Sequence, residues 1–389
     1  MSRADTPVAA IDVGSGMTKF IIGIFKYQHE TKTIEIIKQV ERPVPYGVDW
    51  KRSTDGNLSE DIQAQGIKLF KEIIDIIENW KESYASHYPK IDVIGVGTEV
   101  FRKANNGAKF LKTVENQTGL RIELIPQQLE AKLGFLTGRA AILTLDGDVL
   151  KKQFNYDTSK NLVVYDSGGG SFQITWTHSN NTPTNSSGCE DVLNTVLKPS
   201  GLAPTLYDLL ELQMKDQHGT PNPVSYETAI KLVDILIEKF IDPVDIKALT
   251  EGFAPVFLSI GGINSHVRLA ADILIRIKAE EDLETTMDYT LDKKMSTVTK
   301  FYSFTEQSVT LALKRICGKE DRELEMFAYY ENAEPVSYMV PKMCILLSVL
   351  KGYKIPKLNW IMSCGSCFGL ILNHIQEIDI KNSIMKSEI

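Results

Sequence analysis

Two aspartates in this chain stand at the same point of the same short pattern. VAAIDVGSGMTKF carries an apolar stretch into Asp12, then Gly14, Ser15 and Gly16, then a second apolar stretch. LVVYDSGGGSFQI repeats that order with Asp166, Gly168, Gly169, Gly170 and Ser171. Glycines lack a Cβ and let successive backbone N–H groups converge on one anion, so each turn is a candidate phosphate cradle. A carboxylate beside a cradle repels phosphate unless a cation intervenes. Asp12 and Asp166 are therefore candidate ligands of Mg2+, a hard ion that takes oxygen donors and bridges to phosphate. Taken singly, either turn also reads as a plain hairpin, and either aspartate as an acceptor for its own turn. Two copies about 150 residues apart, matched in the offset from Asp to Gly, are much harder to explain as coincidence.

Such residues need elements to hold them. VAAIDV (8–13) and TKFIIGIF (18–25) read as a hairpin around the first turn, with TIEIIKQV as a third strand. Residues 41–58 read as a polar loop. Ser59 has the place of a helix N-cap before Glu60 and Asp61, and Ile62, Leu69, Phe70, Ile73, Ile76, Ile77 and Trp80 follow at helical spacing. KIDVIGVGTEV predicts a strand entering a helix near 101–118, RIELI a strand, and PQQLEAKLGFLTGRA a further helix. Beyond the polar stretch 146–161 the pattern restarts. Helices are expected at 205–217, 224–240, 265–278, 305–317, 338–352 and 366–378, with strands in APVFLSIGGI and LNWIMSCGS. Strands alternating with helices indicate an α/β protein. The repeat predicts two lobes facing each other, 1–140 and 141–389, with the last helix able to return to the first.

Bulk properties narrow the function. The chain has 389 residues, which suggests two domains or one large bilobal one, and 43% of them are apolar, enough for a sizeable core. A formal charge of −7 without a dense Lys/Arg cluster argues against a general binder of nucleic-acid polymers. No apolar run approaches a bilayer span, MSRADTPVAAIDVG lacks the apolar core of a signal peptide, and five scattered cysteines make no disulfide framework. A cytoplasmic protein without membrane contact is the expectation. GxxxxGK[ST] is absent, and GVGTEV has Val100 where a dinucleotide fingerprint needs its third glycine. Cys364-Gly-Ser-Cys367 lacks a second CxxC and reads as packing cysteines. His266 and His374 lack ligand-spaced partners and read as structural.

In order and approximate spacing, IDVGSGMTKF, IGVGTEVFRKANNG, QQLEAKLGFLTG and VVYDSGGGSFQI resemble the exopolyphosphatase / guanosine pentaphosphate phosphatase (Ppx/GppA) family. LSIGGI and IMSCGSCFGLIL resemble its later glycine segments, so the likeness runs from about residue 8 to about residue 373. It implies a two-lobed, duplicated actin-like (ribonuclease H-like) fold with an interlobe cleft. Some members carry a C-terminal metal-dependent phosphohydrolase domain; no His-Asp pair supports one here, and a short form is expected. The resemblance implies hydrolysis of terminal phosphate from inorganic polyphosphate or guanosine pentaphosphate, with Mg2+ as cofactor. Polyphosphate or guanosine tetra/pentaphosphate is the implied ligand, and a homodimer is compatible with it.

Matching the motifs residue by residue assigns roles. LEAK places Glu130 at the glutamate that acts as general base on the attacking water; without the resemblance it is a surface glutamate on a helix. Asp166 is carried over as a catalytic and metal-holding residue. Arg102 matches an arginine with a phosphate contact. Lys19 stands where the family commonly has arginine, keeping the charge but not the fork. Gly14, Ser15, Gly16, Gly168, Gly169, Gly170 and Ser171 would cradle phosphate. Gln173 replaces a glutamate of the metal site; it keeps a carbonyl for a cation but supplies neither negative charge nor base. Gly16, Met17 and Leu129 also depart from the pattern. These departures keep a second expectation open, a catalytically weakened sensor of polyphosphate or an alarmone. A third is an ATP-dependent phosphotransferase in which LSIGGI approaches the nucleotide.

Overall fold

Each glycine turn joins the first two strands of its own mixed sheet. The structure is a computed structural model that describes residues 6–28, 31–143, 162–168, 171–177, 193–198, 202–215, 219–250, 255–262, 264–283, 301–327 and 335–387. The first sheet is built from β1 (Pro7–Val13), β2 (Met17–Gln28), β3 (Thr31–Pro43), β4 (Asp92–Gly97) and β5 (Glu123–Leu124), in the order β3-β2-β1-β4-β5. Interleaved helices are α1 (Tyr46–Arg52), α2 (Glu60–Tyr84), α3 (Glu99–Lys103), α4 (Gly107–Thr118) and α5 (Gln127–Leu143).

The second sheet uses β6 (Leu162–Ser167), β7 (Phe172–Thr177), β8 (Leu193–Lys198), β9 (Val256–Gly261), β10 (Phe301–Phe304) and β11 (Leu358–Met362), in the order β10-β11-β9-β6-β7-β8. Its helices are α6 (Leu202–Leu212), α7 (Tyr226–Phe240), α8 (Pro243–Thr250), α9 (His266–Leu283), α10 (Glu306–Ile316), α11 (Asp321–Leu324), α12 (Met339–Gly352) and α13 (Cys367–Ser387). In both sheets the first strand pairs antiparallel with the second and parallel with the fourth. The sequence repeat is thus a repeat of topology.

β1 is buried along its whole length because both of its faces are covered. Ala9, Ile11 and Val13 pack with the α2 residues Ile62, Leu69, Phe70 and Ile73. Val8 and Ala10 point the other way, toward Leu133 and Ala140 of α5 and Phe368, Leu370 and Ile371 of α13. This is the period of two that a strand buried on both sides must show. α5 in turn lays Phe135, Ala141 and Ile142 on Val164, Leu258 and Ile260 of the second sheet. α5 and α13 therefore lie between the sheets, and small residues let them in. A methyl group placed on Gly138 would sit 2.7 Å from Val164 Cγ2, and one on Gly369 of α13 would sit 2.8 Å from the Leu133 carbonyl carbon.

Ser59 caps α2 as its position implied. Its Oγ accepts from the Ile62 N–H at 3.3 Å and donates to Asp49 Oδ1 at 2.5 Å. Ser59→Ala should cost about 1 kcal/mol. A lower urea midpoint with an unchanged slope would register that loss; an unchanged midpoint would remove the cap from the account.

Some expectations shift. Residues 41–58 are not all loop: β3 runs to Pro43 and α1 fills Tyr46–Arg52. The helix expected near 101–118 breaks into α3 and α4, because the chain folds back until Gly107 is tight against Phe101; a methyl there would lie 2.8 Å from the Phe101 carbonyl carbon. The stretch 146–161 lies outside the described residues. Among the described residues no helix is long and apolar enough to cross a membrane.

Candidate active site

Hairpin register carries charge to one place. Asp12 of β1 pairs with Lys19 of β2, and Lys19 pairs with Glu41 of β3. Cross-strand partners share a face, so one rung of the first sheet reads minus, plus, minus. The second sheet has the matching rung Asp166–Gln173. Both turns close identically: Gly14 N–H donates to the Met17 carbonyl and Gly168 N–H to the Ser171 carbonyl, each at 2.9 Å. Those two N–H groups are thereby spent inside their turns. Gly14 and Gly168 shape the cradles, and donors for an anion have to come from the residues that follow them. Gly169 and Gly170 lie outside the described residues.

The two turns face a single cleft that encloses about 100 Å³. Asp12, Gly14, Ser15, Gly16 and Lys19 line it from the first lobe, and Asp166, Gly168, Ser171 and Gln173 from the second. Glu130 reaches it from the first turn of α5. The spacing Glu130, Gly134, Gly138 puts one glutamate and two glycines on one helical face. Gly138 rests on Val164, and Gly134 so close to Asp166 that an added methyl would lie 3.0 Å from Asp166 Oδ2. The helix is thus set down on β6 with Glu130 one turn from Asp166.

Electrostatics follow from this crowding. Burial raises the Glu130 carboxyl to about 8; Arg102 opposes the shift, and Asp12 and Asp166 add to it. Burial also lifts Asp166 to about 6, with Lys19 opposing and Asp12 reinforcing. For Lys19 burial pulls its pKa down, but Asp12, Glu41 and Asp166 outweigh it and hold the ammonium charged, above the ordinary lysine range. Five carboxyls (Asp12, Glu41, Glu99, Glu130 and Asp166) against two ammoniums (Lys19 and Lys342) line the cleft, an excess that favours either protons or a further cation.

Nothing in the sequence pattern points to several of the other groups in the cleft. Gly365, in the left-handed region at φ 51°, lets its backbone touch the first rung; a methyl there would lie 2.5 Å from Lys19 Cδ and 2.9 Å from Lys19 Nζ. The next N–H, of Ser366, donates to Asp12 Oδ2 at 2.8 Å. Cys364 and Cys367 on either side are buried free thiols, so that segment packs as expected while its middle serves the site. His266 also lines the cleft; its Nε2 lies 3.2 Å from Tyr165 Oη, and burial followed by the charge of Lys342 lowers it to about 3. It is a neutral imidazole at physiological pH.

Residues 27–205 match the description Ppx/GppA phosphatase family. Over that stretch the chain is similar to the family. The crystal structure of the Aquifex aeolicus member of the Ppx/GppA family superposes with a TM-score of 0.61 at 20% identity, covering 96% of this chain and 98% of that one. An exopolyphosphatase from Cytophaga hutchinsonii gives a TM-score of 0.65 at 14% identity, with 96% and 98% covered. Similarity this distant speaks for the fold, which is the two-lobed actin-like α/β one. The comparison with curated proteins gives no match.

Arg102 is not among the residues lining the cleft. It donates through Nη2 to Glu130 Oε2 at 2.9 Å and through Nη1 to the Ile125 carbonyl at 2.7 Å. Gln173 keeps its place, buried in the cleft, and its Nε2 donates to Ser171 Oγ at 2.9 Å. Among the described residues no three His, Cys, Asp or Glu side chains come close enough together to cage a metal. Asp12 and Asp166 fit Mg2+ in the other common mode, in which one or two carboxylates hold the ion and water and substrate phosphate complete its shell.

Proposed function

We propose that this protein hydrolyses the terminal phosphoanhydride of a polyphosphate chain or of guanosine pentaphosphate and releases orthophosphate. The observation that carries this reading is that Glu130 and Asp166 line one cleft with both glycine turns, Glu130 lying one helical turn before the Gly134 that rests on Asp166. Glu130 takes a proton from a water, the water oxygen forms a bond to the terminal phosphorus, and the anhydride P–O bond breaks with its electrons leaving on the shortened chain. Phosphoryl transfer passes through a loose transition state, so positioning and charge supply most of the acceleration. Lys19 and the turn N–H groups provide the positive side. Mg2+ held by Asp12 and Asp166 would screen the charge and polarise the phosphoryl oxygens. A cleft of about 100 Å³ is far below the roughly 300–1,000 Å³ that buries a whole small ligand, which favours attack at a chain end.

The second reading, a sensor that binds polyphosphate or an alarmone without turnover, is favoured by Gln173, which supplies no charge where the family pattern has glutamate. A phosphotransferase is disfavoured by Glu41: its carboxylate stands against the glycine pair of LSIGGI, where a methyl on Gly262 would lie 2.8 Å from Glu41 Cδ. Nucleotide phosphates approaching there would meet a negative charge.

Phosphate release should be followed from long-chain polyphosphate, guanosine pentaphosphate and ATP in parallel, with and without Mg2+. Multiple turnovers from polyphosphate or guanosine pentaphosphate, lost on chelation, are expected. Calorimetric binding with no release would replace the hydrolase with the sensor, and ADP formed only with an acceptor would replace it with the transferase.

A further inference from the structure

We infer that Arg102 is a positioning residue that clamps Glu130 in register, and that it does not grip the substrate. Its two partners belong to one short stretch of chain. Ile125 follows β5 directly and Glu130 sits in the first turn of α5, so the guanidinium ties the entry of the helix to the carboxylate that the helix presents. Pro126 between them already accepts from the N–H groups of Leu129 and Glu130, at 3.1 Å each. With the backbone so fixed, Glu130 still has free side-chain torsions, and one charge-assisted bond from a rigid fork removes that freedom.

The clamp is anchored at its own end. Val100 and Phe101 on α3 are buried in the first-lobe core, and the guanidinium and carboxyl are 22% and 13% exposed. An arginine meant for phosphate would present its fork to the cleft, yet here both ends of the fork are turned to protein. Glu130 alone of the pair lines the cleft.

Other charges bear on Glu130 from the elements around it. Asp12 of β1 and Asp166 of β6 raise it; Arg102 is the group that counters them. Lys19, Glu41, Glu99, His266 and Lys342 line the same cleft. Glu99 pairs with Lys103, and Lys342 Nζ donates to the Asn264 carbonyl at 2.6 Å.

This inference rests on Glu130 being the base, and the two can fail separately. Polyphosphate hydrolysis should be measured against pH for the wild type, Arg102→Ala, Arg102→Lys, Glu130→Gln and the double variant Arg102→Ala/Glu130→Gln. Arg102→Ala should lower kcat on the order of 10²-fold near neutral pH, with KM changed less than about threefold and the rising limb of kcat/KM moved to higher pH. Arg102→Lys should fall between, restoring charge but not both bonds. In the Glu130→Gln background Arg102→Ala should add almost nothing. A rise in KM of about tenfold or more with kcat and the limb unmoved would make Arg102 a substrate contact and overturn the inference. A wild-type rate in Glu130→Gln would instead sink the base. Should no substrate turn over, the carboxyl of ¹³C-labelled Glu130 can be titrated by NMR: a higher midpoint in folded Arg102→Ala and Arg102→Lys supports the clamp, and an unmoved midpoint in both overturns it.

Discussion

In the Glu130→Gln variant phosphate release falls by about 10²–10⁴-fold while polyphosphate still binds. General-base catalysis is worth about that much, and the change is close to isosteric, so little else moves. The amide oxygen can still accept from Arg102, which keeps the side chain in place without its basicity. In the wild type the group titrates near 8, so kcat/KM should climb as pH rises through that value, and the climb should vanish in the variant. The same group sets a stability trend. Its folded pKa lies above the unfolded value, so between about 4.5 and 8 the folded state binds more protons, and stability falls as pH rises across that window. Asp166 adds the same sign between about 4 and 6. Glu130→Gln should therefore flatten the decline above pH 6. A variant with normal turnover and an unchanged pH limb would leave the cleft without its base.

What could be read beforehand was local. The offset from Asp to Gly in the two turns survives in the sequence because a strand–turn–strand unit encodes its own geometry. It led to two sheets of matching topology. Ser59 marked the start of α2 because a cap needs only its own helix. The site's remaining members depend on register and long-range return. Glu41 meets Lys19 only after a bulge between Ile22 and Gly23 has shifted the pairing of β2 with β3. Ser366 meets Asp12 across 354 positions of chain, and no periodicity announces that. Arg102 was visible as a forked cation, but its direction was not; only the tertiary fold, which brings its fork to the Ile125 carbonyl and the first turn of α5, sends it to Glu130. α1 and α8 escaped notice because helices of 7 and 8 residues carry too few turns to establish an apolar period.

Gly369→Ala is expected to damage stability and turnover together, through a helix contact with no ligand in it. The added methyl would sit 2.8 Å from the Leu133 carbonyl carbon and 2.9 Å from Thr137 Oγ1. Leu133 presents backbone there, which cannot rotate aside as a side chain can, so α13 has to withdraw from α5. Overpacking of this kind typically costs about 1–3 kcal/mol. It also loosens the bond from the Gly369 N–H to Thr137 Oγ1, now 2.9 Å. α5 carries Glu130 less than one turn before Leu133, and a displacement of about 1 Å in a positioned group can cost on the order of 10²-fold in rate. The expected signature is a lower melting temperature and a lower kcat, with KM affected least because neither glycine turn lies on α5. Leu311→Ala, on the exposed side of α10, serves as control and should stay within about 0.5 kcal/mol of the wild type. If Gly369→Ala melted and turned over like the wild type, α5 and α13 would not be in the close contact on which the position of Glu130 depends.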